Sequence, residues 1–133
     1  MDKVVVGNLD MFKTMSITAL LQKGINLDPN IISSYDILKL ATVNGAKMLK
    51  LDDKIGTIKV GYKADLVILS LDKIYTNPVT DAISNIVYNC DASVVDTTII
   101  NGNILYLDKK LCIDIDENTV ISKVNDISKR ILQ

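Results

Sequence analysis

The chain has 133 residues, a net charge of −1 at pH 7 and a pI near 5.3, and 48% of its residues are hydrophobic. This length predicts one domain of ordinary size, and the near-neutral charge excludes the basic surface that nucleic-acid binding requires. Since the apolar excess is aliphatic, with only 5% aromatic residues, we expect part of it to face a partner.

Neither a bilayer-spanning apolar run nor a cleavable leader pattern is recognisable, so we expect a cytoplasmic protein without a membrane segment. The two cysteines, Cys90 and Cys112, lack the spacing of a metal or redox motif. We expect both to be buried or half-buried thiols in a reducing compartment.

The first predicted elements are a short strand at residues 4–6 and an amphipathic helix over residues 9–23. Asn8 is its expected N-cap and Gly24 its expected C-cap, and Pro29 bars continuation. One stripe of this helix is predicted to face the core: Leu9, Phe12, Met15 or Ser16, Ala19 and Leu20.

The stretch over residues 36–69 predicts a helix-to-sheet junction. Ser33 and Asp36 have capping-box spacing. The helix after them should break at Asn44-Gly45, resume with Met48, Leu49 and Leu51 inward, and lead through a turn into a sheet segment at 55–60. Residues 66–69 are continuously apolar, as in a strand covered on both faces.

The second half predicts a helix capped by Asp81 and a hairpin at Asn101-Gly102, because a type I′ turn needs two residues with positive φ. Residues 111–113 could pair at a sheet edge. A last helix should open at Asp116-Glu117, with Asp114 nearby, and bury one stripe: Val120, Val124, Ile127 and Ile131.

Several motifs together resemble the amidohydrolase superfamily. In the central stretch they are Ala41-Thr42, Gly45-Ala46, Leu49, Leu51, Gly56, Ile58, Gly61 and Ala64-Asp65-Leu66-Val67. The family has glycine at the position of Lys50 and aspartate at that of Ser70. Asn8-Leu9-Asp10-Met11-Phe12, Ala19-Leu20-Leu21-Gln22-Lys23 and Val95-Asp96-Thr97-x-Ile99-x-Asn101-Gly102 are similar to the branch of methylthioadenosine/S-adenosylhomocysteine deaminases and chlorohydrolases.

The resemblance implies an α+β fold, in which the C-terminal helices of a (β/α)8 barrel join part of a composite β-sandwich and a C-terminal helix. Residues 1–54 would be the helical remnant of the metal-dependent barrel, and residues 55–133 the sandwich portion with its helix. A complete barrel needs about 250 residues. Only the first part of this chain could belong to one.

The family holds a divalent metal, zinc or iron, with histidines and an aspartate, and hydrolyses an aminated or chlorinated ring. A catalytic metal of this kind needs about three protein ligands, and this chain has no histidine. The resemblance therefore implies neither metal ligands nor catalytic residues here; Asp2, the one carboxylate upstream, is not expected to be a ligand. Asn8 and Asp10 match positions near the barrel mouth, or serve as a cap and a first-turn acid.

The remaining polar motifs have structural interpretations. Asp52-Asp53 should be a solvated turn, and the Asp65 carboxylate should accept hydrogen bonds from nearby backbone N–H groups. None of Ser33, Ser34 and Ser70 has a recognisable base beside it. The Gly56-to-Gly61 spacing lacks the lysine of a phosphate loop.

Two functional interpretations follow. The first is a C-terminal piece of a metal-dependent amidohydrolase, truncated and inactive alone, whose parent reaction is hydrolytic deamination or dechlorination of a purine-like heterocycle. The second is a non-catalytic module that self-associates as a homo-oligomer or completes a barrel supplied by another chain.

Overall fold

The structure, a computed structural model, describes residues 9–131. Helices and an antiparallel sheet make up this part of the chain, so the mixed helix-and-sheet prediction is confirmed. Among residues 9–131, no helix is both long and apolar enough to cross a membrane. The predicted strand at residues 4–6 lies outside the described residues.

The helices are α1 (Met11–Asn26), α2 (Ser34–Lys39), α3 (Gly45–Met48), α4 (Ala82–Tyr88) and α5 (Glu117–Ile131). A π-helical turn at Leu40–Asn44 joins α2 to α3, and short 3-10 turns lie at Ile74–Thr76 and Ala92–Val94. The strands are β1 (Leu66–Leu69), β2 (Val95–Ile100), β3 (Asn103–Leu107) and β4 (Lys110–Leu111).

The core lies among α1, α2 and α4. Met15 and Ala19 of α1 pack with Ile37 of α2 and Val87 of α4. The predicted inward stripe of α1 is therefore confirmed at its centre. It is wrong at both ends, because Leu9 and Leu20 are exposed.

Both ends of α1 differ from prediction. The N-cap is Asp10, so the predicted start at residue 9, with Asn8 as cap, is wrong. The helix runs past Gly24 to Leu27, which has a φ of +49°. The backbone N–H groups of Leu27 and Asp28 bond to the carbonyls of Gly24 and Lys23, which is the Schellman pattern. Gly24 is thus a residue inside the helix.

The next helix begins as predicted. The Ser33 hydroxyl oxygen accepts a hydrogen bond from the Asp36 backbone N–H at 3.1 Å and donates one to the Asp36 carboxylate at 2.6 Å. The predicted break is wrong, because Asn44 and Gly45 keep helical dihedral angles. The irregularity is the π-helical turn that ends at Asn44, and α3 begins at Gly45.

The end of α3 exposes the side chains that were predicted to face inward. Met48 and Leu49 are exposed, as is Leu51, and Ala46 is buried instead. Lys50, with a φ of +58°, terminates the helix where the family has glycine. The residues at 55–60 form turns and coil, so the predicted sheet segment is wrong, and Ile58 is 91% exposed.

The sheet has the order β1-β2-β3-β4 with antiparallel neighbours. Asn101 and Gly102 have φ values of +52° and +80°, which confirms the predicted type I′ hairpin. Asp108-Lys109 forms a second tight turn. An edge strand was predicted at residues 111–113; β4 covers Lys110–Leu111, so the prediction is confirmed for Leu111 alone. Val67 and Ile68 are successive residues of β1 and therefore lie on opposite faces of the sheet. Both are about half exposed, so the prediction of a strand covered on both faces is wrong within residues 9–131.

Helix α5 begins as predicted at Asp116, whose carboxylate accepts hydrogen bonds from the backbone N–H groups of Asn118 and Thr119. None of its residues is buried. The predicted burial of its apolar stripe is therefore wrong within residues 9–131, because Val120, Val124, Ile127 and Ile131 are all exposed.

Candidate functional site

Asp10 is the one candidate site residue that the structure describes, and it is 9% exposed. Its Oδ1 accepts hydrogen bonds from the backbone N–H groups of Phe12 at 2.9 Å and Lys13 at 3.2 Å. Its Oδ2 accepts a third from the N–H of Ala92 at 3.3 Å. The carboxylate therefore caps α1 and ties it to the segment that leads into β2.

Asp10 is thus the N-cap itself, whereas the sequence predicted Asn8 as the cap and Asp10 as an acid of the first turn. Asn8 and Asp2 lie outside the described residues. A position of Asn8 and Asp10 near a barrel mouth stays a prediction. The bond to Ala92 spans 82 residues, and no local sequence signal could have found it.

An open cleft of about 460 Å³ lies where the N-termini of α2 and α4 meet the C-terminal end of α1. The hydroxyls of Ser34 and Ser84 are 2.9 Å apart on its wall. Sequence reasoning did not pair these two serines, because 50 residues separate them. The other lining residues are Lys23, Pro29, Asn30, Ile32, Ser33, Tyr35, Asp81 and Ile83.

The carboxylates beside this cleft are committed to helix caps. Hydrogen bonds from Ser33, and then Lys39, hold the pKa of Asp36 below its usual value. Hydrogen bonds from Ser84 do the same for the pKa of Asp81. Because both groups are favoured as carboxylates, neither can donate a proton near neutral pH, and the cleft offers no imidazole base.

Other carboxylates also have structural roles. Asp65 accepts a hydrogen bond from the backbone N–H of Asn101 at 2.6 Å, as predicted. Asp91 accepts one from Ser93 at 2.8 Å. Asp52 and Asp53 lie in an exposed turn, in agreement with the solvated-turn interpretation.

The two cysteine thiols differ in exposure, since Cys90 is buried and Cys112 is exposed. Burial, and then the charge of Asp91, raise the pKa of Cys90, so its thiol is protonated at neutral pH. Cys112 is exposed, so the prediction of burial is wrong for it.

The donor chemistry does not fit a hydrolytic divalent metal. The sequence offers no imidazole. Across residues 9–131, no three side chains of the His, Cys, Asp or Glu type come together as a possible ligand set. A catalytic zinc site takes about three such ligands and an open position.

Comparison with known proteins places these residues in context. The model of the amidohydrolase family matches residues 2–105. A 5-methylthioadenosine/S-adenosylhomocysteine deaminase from Acetivibrio thermocellus is 45% identical over 127 residues, which cover 96% of this chain and 29% of that protein. A 5'-deoxyadenosine deaminase from Methanocaldococcus jannaschii is 38% identical over 121 residues, which cover 91% of this chain and 28% of that protein.

Solved structures agree. A zinc-bound adenosine deaminase from Xanthomonas campestris superposes with a TM-score of 0.84 at 30% identity, covering 91% of this chain and 27% of that one. A zinc complex of atrazine chlorohydrolase from Arthrobacter aurescens superposes with a TM-score of 0.74 at 20% identity and covers 86% of this chain and 25% of that one. At this identity the similarity is one of fold. The chain spans less than a third of the length of the curated relatives it matches.

Proposed function

The chain belongs to the amidohydrolase family, and on that premise we propose that it is the part of a metal-dependent deaminase that holds no metal. The observation that carries the proposal is 45% identity to a deaminase in a chain that has no histidine. The parent reaction would be hydrolytic deamination of a purine-like heterocycle. We favour it over dechlorination because the deaminases are the relatives of higher identity.

The architecture we propose divides the chain in two. Residues 1–54 would be the last helices of a (β/α)8 barrel, and residues 55–133 would be part of a β-sandwich with its closing C-terminal helix. The TM-score of 0.84 against the adenosine deaminase supports a shared fold over the matched residues. The two parts would form one compact unit, since Val87 of the second part packs with Met15, Ala19 and Ile37 of the first. Since a barrel needs about 250 residues, the rest of it must come from outside these 133 residues.

The proposal includes the inactivity of this chain alone. In the family, zinc or iron activates the attacking water, and histidines hold the metal. This chain supplies no imidazole, and its described carboxylates near helix ends serve as caps. We therefore expect it to complete a barrel and to support the fold around the metal without binding the ion.

A covalent chimera tests the proposal. The matched 127 residues of the Acetivibrio thermocellus relative would be replaced by this chain, and ammonia release from 5-methylthioadenosine measured with zinc. We expect activity that neither the remaining part of the relative nor this chain has alone. The control chimera carries alanine at the histidines of the barrel part and should be silent. A folded, zinc-loaded chimera that releases no ammonia would contradict the proposal.

One observation favours a second candidate, a self-association module. Helix α5 presents the apolar stripe of Val120, Val124, Ile127 and Ile131 with none of these side chains buried. Light scattering at micromolar concentration should then give a dimer or larger species. Val124→Asp should produce a monomer, and Asn125→Asp, the adjacent residue off the stripe, should not. A monomeric wild-type chain would reject this candidate.

A further inference from the structure

The chain contains two Asn-Gly dipeptides, Asn44-Gly45 and Asn101-Gly102. In such a dipeptide the backbone nitrogen of the glycine can attack the side-chain carbonyl carbon of the asparagine. Glycine hinders this ring closure less than other residues do, because it has no Cβ and its backbone is permissive. Both asparagines are exposed, so access of water does not distinguish the two dipeptides, and the backbone around them must.

Asn44 lies in helical backbone. Its ψ is −34° and that of Gly45 is −46°, and the Gly45 N–H donates to the carbonyl of Thr42. A helical ψ holds the glycine nitrogen away from the asparagine side chain, so the ring cannot close in place. The next residue, Ala46, is buried. Reaction at Asn44 therefore requires a helix to unwind beside a buried residue.

Asn101 lies in the turn between β2 and β3, and residues 100–103 are all exposed. This turn must also open before its ring can close. Two tertiary hydrogen bonds hold it: Asp65 Oδ1 accepts from the Asn101 N–H at 2.6 Å, and the Ala64 carbonyl accepts from the Gly102 N–H at 3.1 Å. Opening breaks these bonds but uncovers no buried side chain of the turn, so it needs only a local fluctuation.

We propose that Asn101 is a site of spontaneous covalent modification in the folded chain, and that its hydrogen bond to Asp65 limits the rate. The Gly102 nitrogen loses its proton and bonds to Cγ of Asn101. The Cγ–Nδ2 bond then breaks, ammonia leaves, and a five-membered cyclic imide remains. Water adds to either imide carbonyl and opens the ring to aspartate or isoaspartate. The net reaction consumes water, releases ammonium and needs neither nucleoside nor metal, so the inference is independent of the proposed function.

The products weaken the corner at which they form. Each carries a carboxylate on the residue whose N–H the Asp65 carboxylate binds, and like charges repel. Isoaspartate also lengthens the main chain by one carbon, within a two-residue turn whose length sets the register of β2 against β3. We therefore expect the modified chain to be more negatively charged and less stable than the unmodified chain.

Ageing of the purified 133-residue chain in mildly alkaline buffer tests the site. Peptide mapping by mass spectrometry, with isoaspartate resolved by chromatography, gives a separate rate for each dipeptide. In the folded chain we expect Asn101 to react at least tenfold faster than Asn44, because its turn opens locally. In concentrated urea the two rates should become similar, because neither backbone is then restrained.

Substitution of Asp65 tests what limits the rate. Asp65→Ala should raise the rate at Asn101 about tenfold, because it removes a charged acceptor, and should leave the rate at Asn44 unchanged. Asp65→Asn keeps a neutral acceptor and should give an intermediate rate at Asn101. The matched control is Asp53→Ala, which removes a carboxylate from an exposed turn and should change neither rate.

The rate at Asn44 reports any general loss of stability in these variants. Equal rates at Asn44 and Asn101 in the folded wild-type chain would overturn the inference, as would a lack of reaction at Asn101 in both wild type and Asp65→Ala. It is also overturned if Asp65→Ala leaves the rate at Asn101 unchanged or raises both rates alike.

Discussion

The carboxylate of Asp65 accepts a hydrogen bond from the backbone N–H of Asn101 with an Oδ1-to-N distance of 2.6 Å. Beside it, the N–H of Gly102 donates to the carbonyl of Ala64 at 3.1 Å. Two segments that each resemble a family motif, Ala64-Asp65-Leu66-Val67 and the Asn101-Gly102 hairpin, are therefore joined at one corner of the sheet. Asp65 fixes where β1 begins relative to the turn between β2 and β3.

Asp65→Ala should destabilise the chain by roughly 1–2 kcal/mol, because it removes the charged acceptor of the Asn101 N–H. Urea unfolding followed by circular dichroism measures the loss. Asp53→Ala, in an exposed turn, is the control and should change the free energy of unfolding by less than about 0.5 kcal/mol. Equal losses in the two variants would contradict the role of Asp65.

Gly56→Ala should be costly for two reasons. Gly56 has a φ of +92°, and an added Cβ would lie 2.8 Å from the Cβ of Ala46 and 3.3 Å from the Thr42 carbonyl oxygen. We expect a loss of about 2–4 kcal/mol, the sum of backbone strain and overpacking. Gly61→Ala is matched in backbone, with a φ of +88° and nothing within 4 Å. It should lose only the strain part, about 1–2 kcal/mol, and equal losses would argue against the contact with Ala46.

Lys50→Gly should stabilise the chain by about 1 kcal/mol. Lys50 has a φ of +58° and closes the Schellman motif at the end of α3, a backbone state that costs an L-residue but not glycine. Lys47→Gly, inside α3, should instead destabilise by about 1 kcal/mol. Thermal midpoints of the two variants should move in opposite directions, and a shared direction would contradict the assignment.

The caps predict a specific dependence on pH. The hydrogen bonds of Ser84 lower the pKa of Asp81 below its ordinary value of 3.8 in the folded chain. A carboxyl of this kind contributes stability above its ordinary pKa and loses that contribution as pH falls through the lower folded value. Asp81→Asn keeps a good N-cap that does not titrate. The urea midpoint should therefore fall less for this variant than for wild type between about pH 6 and about pH 3; equal falls would contradict the linkage.

The sequence predicted those features that neighbouring residues determine. Ser33, Asp81 and Asp116 cap the helices that they were expected to cap. Asn101-Gly102 forms its turn because its conformation depends on two adjacent residues. By the same reasoning Gly24 was misread as a cap, since Leu27 takes the left-handed conformation that its residue type disfavours.

Burial could not be predicted in the same way. Apolar residues such as Leu20, Val67 and Val124 indicate a surface that is suited to burial. Whether that surface is buried depends on a second element that packs against it. All three side chains are exposed. For the candidate site, Asn8 was predicted as the cap and Asp10 as a first-turn acid, because both residue types are favourable at helix N-termini. The structure makes Asp10 the cap, and its bond to Ala92 depends on the tertiary fold.

The central claim is that this chain cannot hold the catalytic metal by itself. The most direct measurement is the zinc content of the purified 133-residue chain after incubation with zinc and gel filtration, combined with an assay of 5-methylthioadenosine deamination. We predict far less than one zinc per chain and no ammonia release. One tightly held zinc per chain together with turnover of the nucleoside would contradict the account.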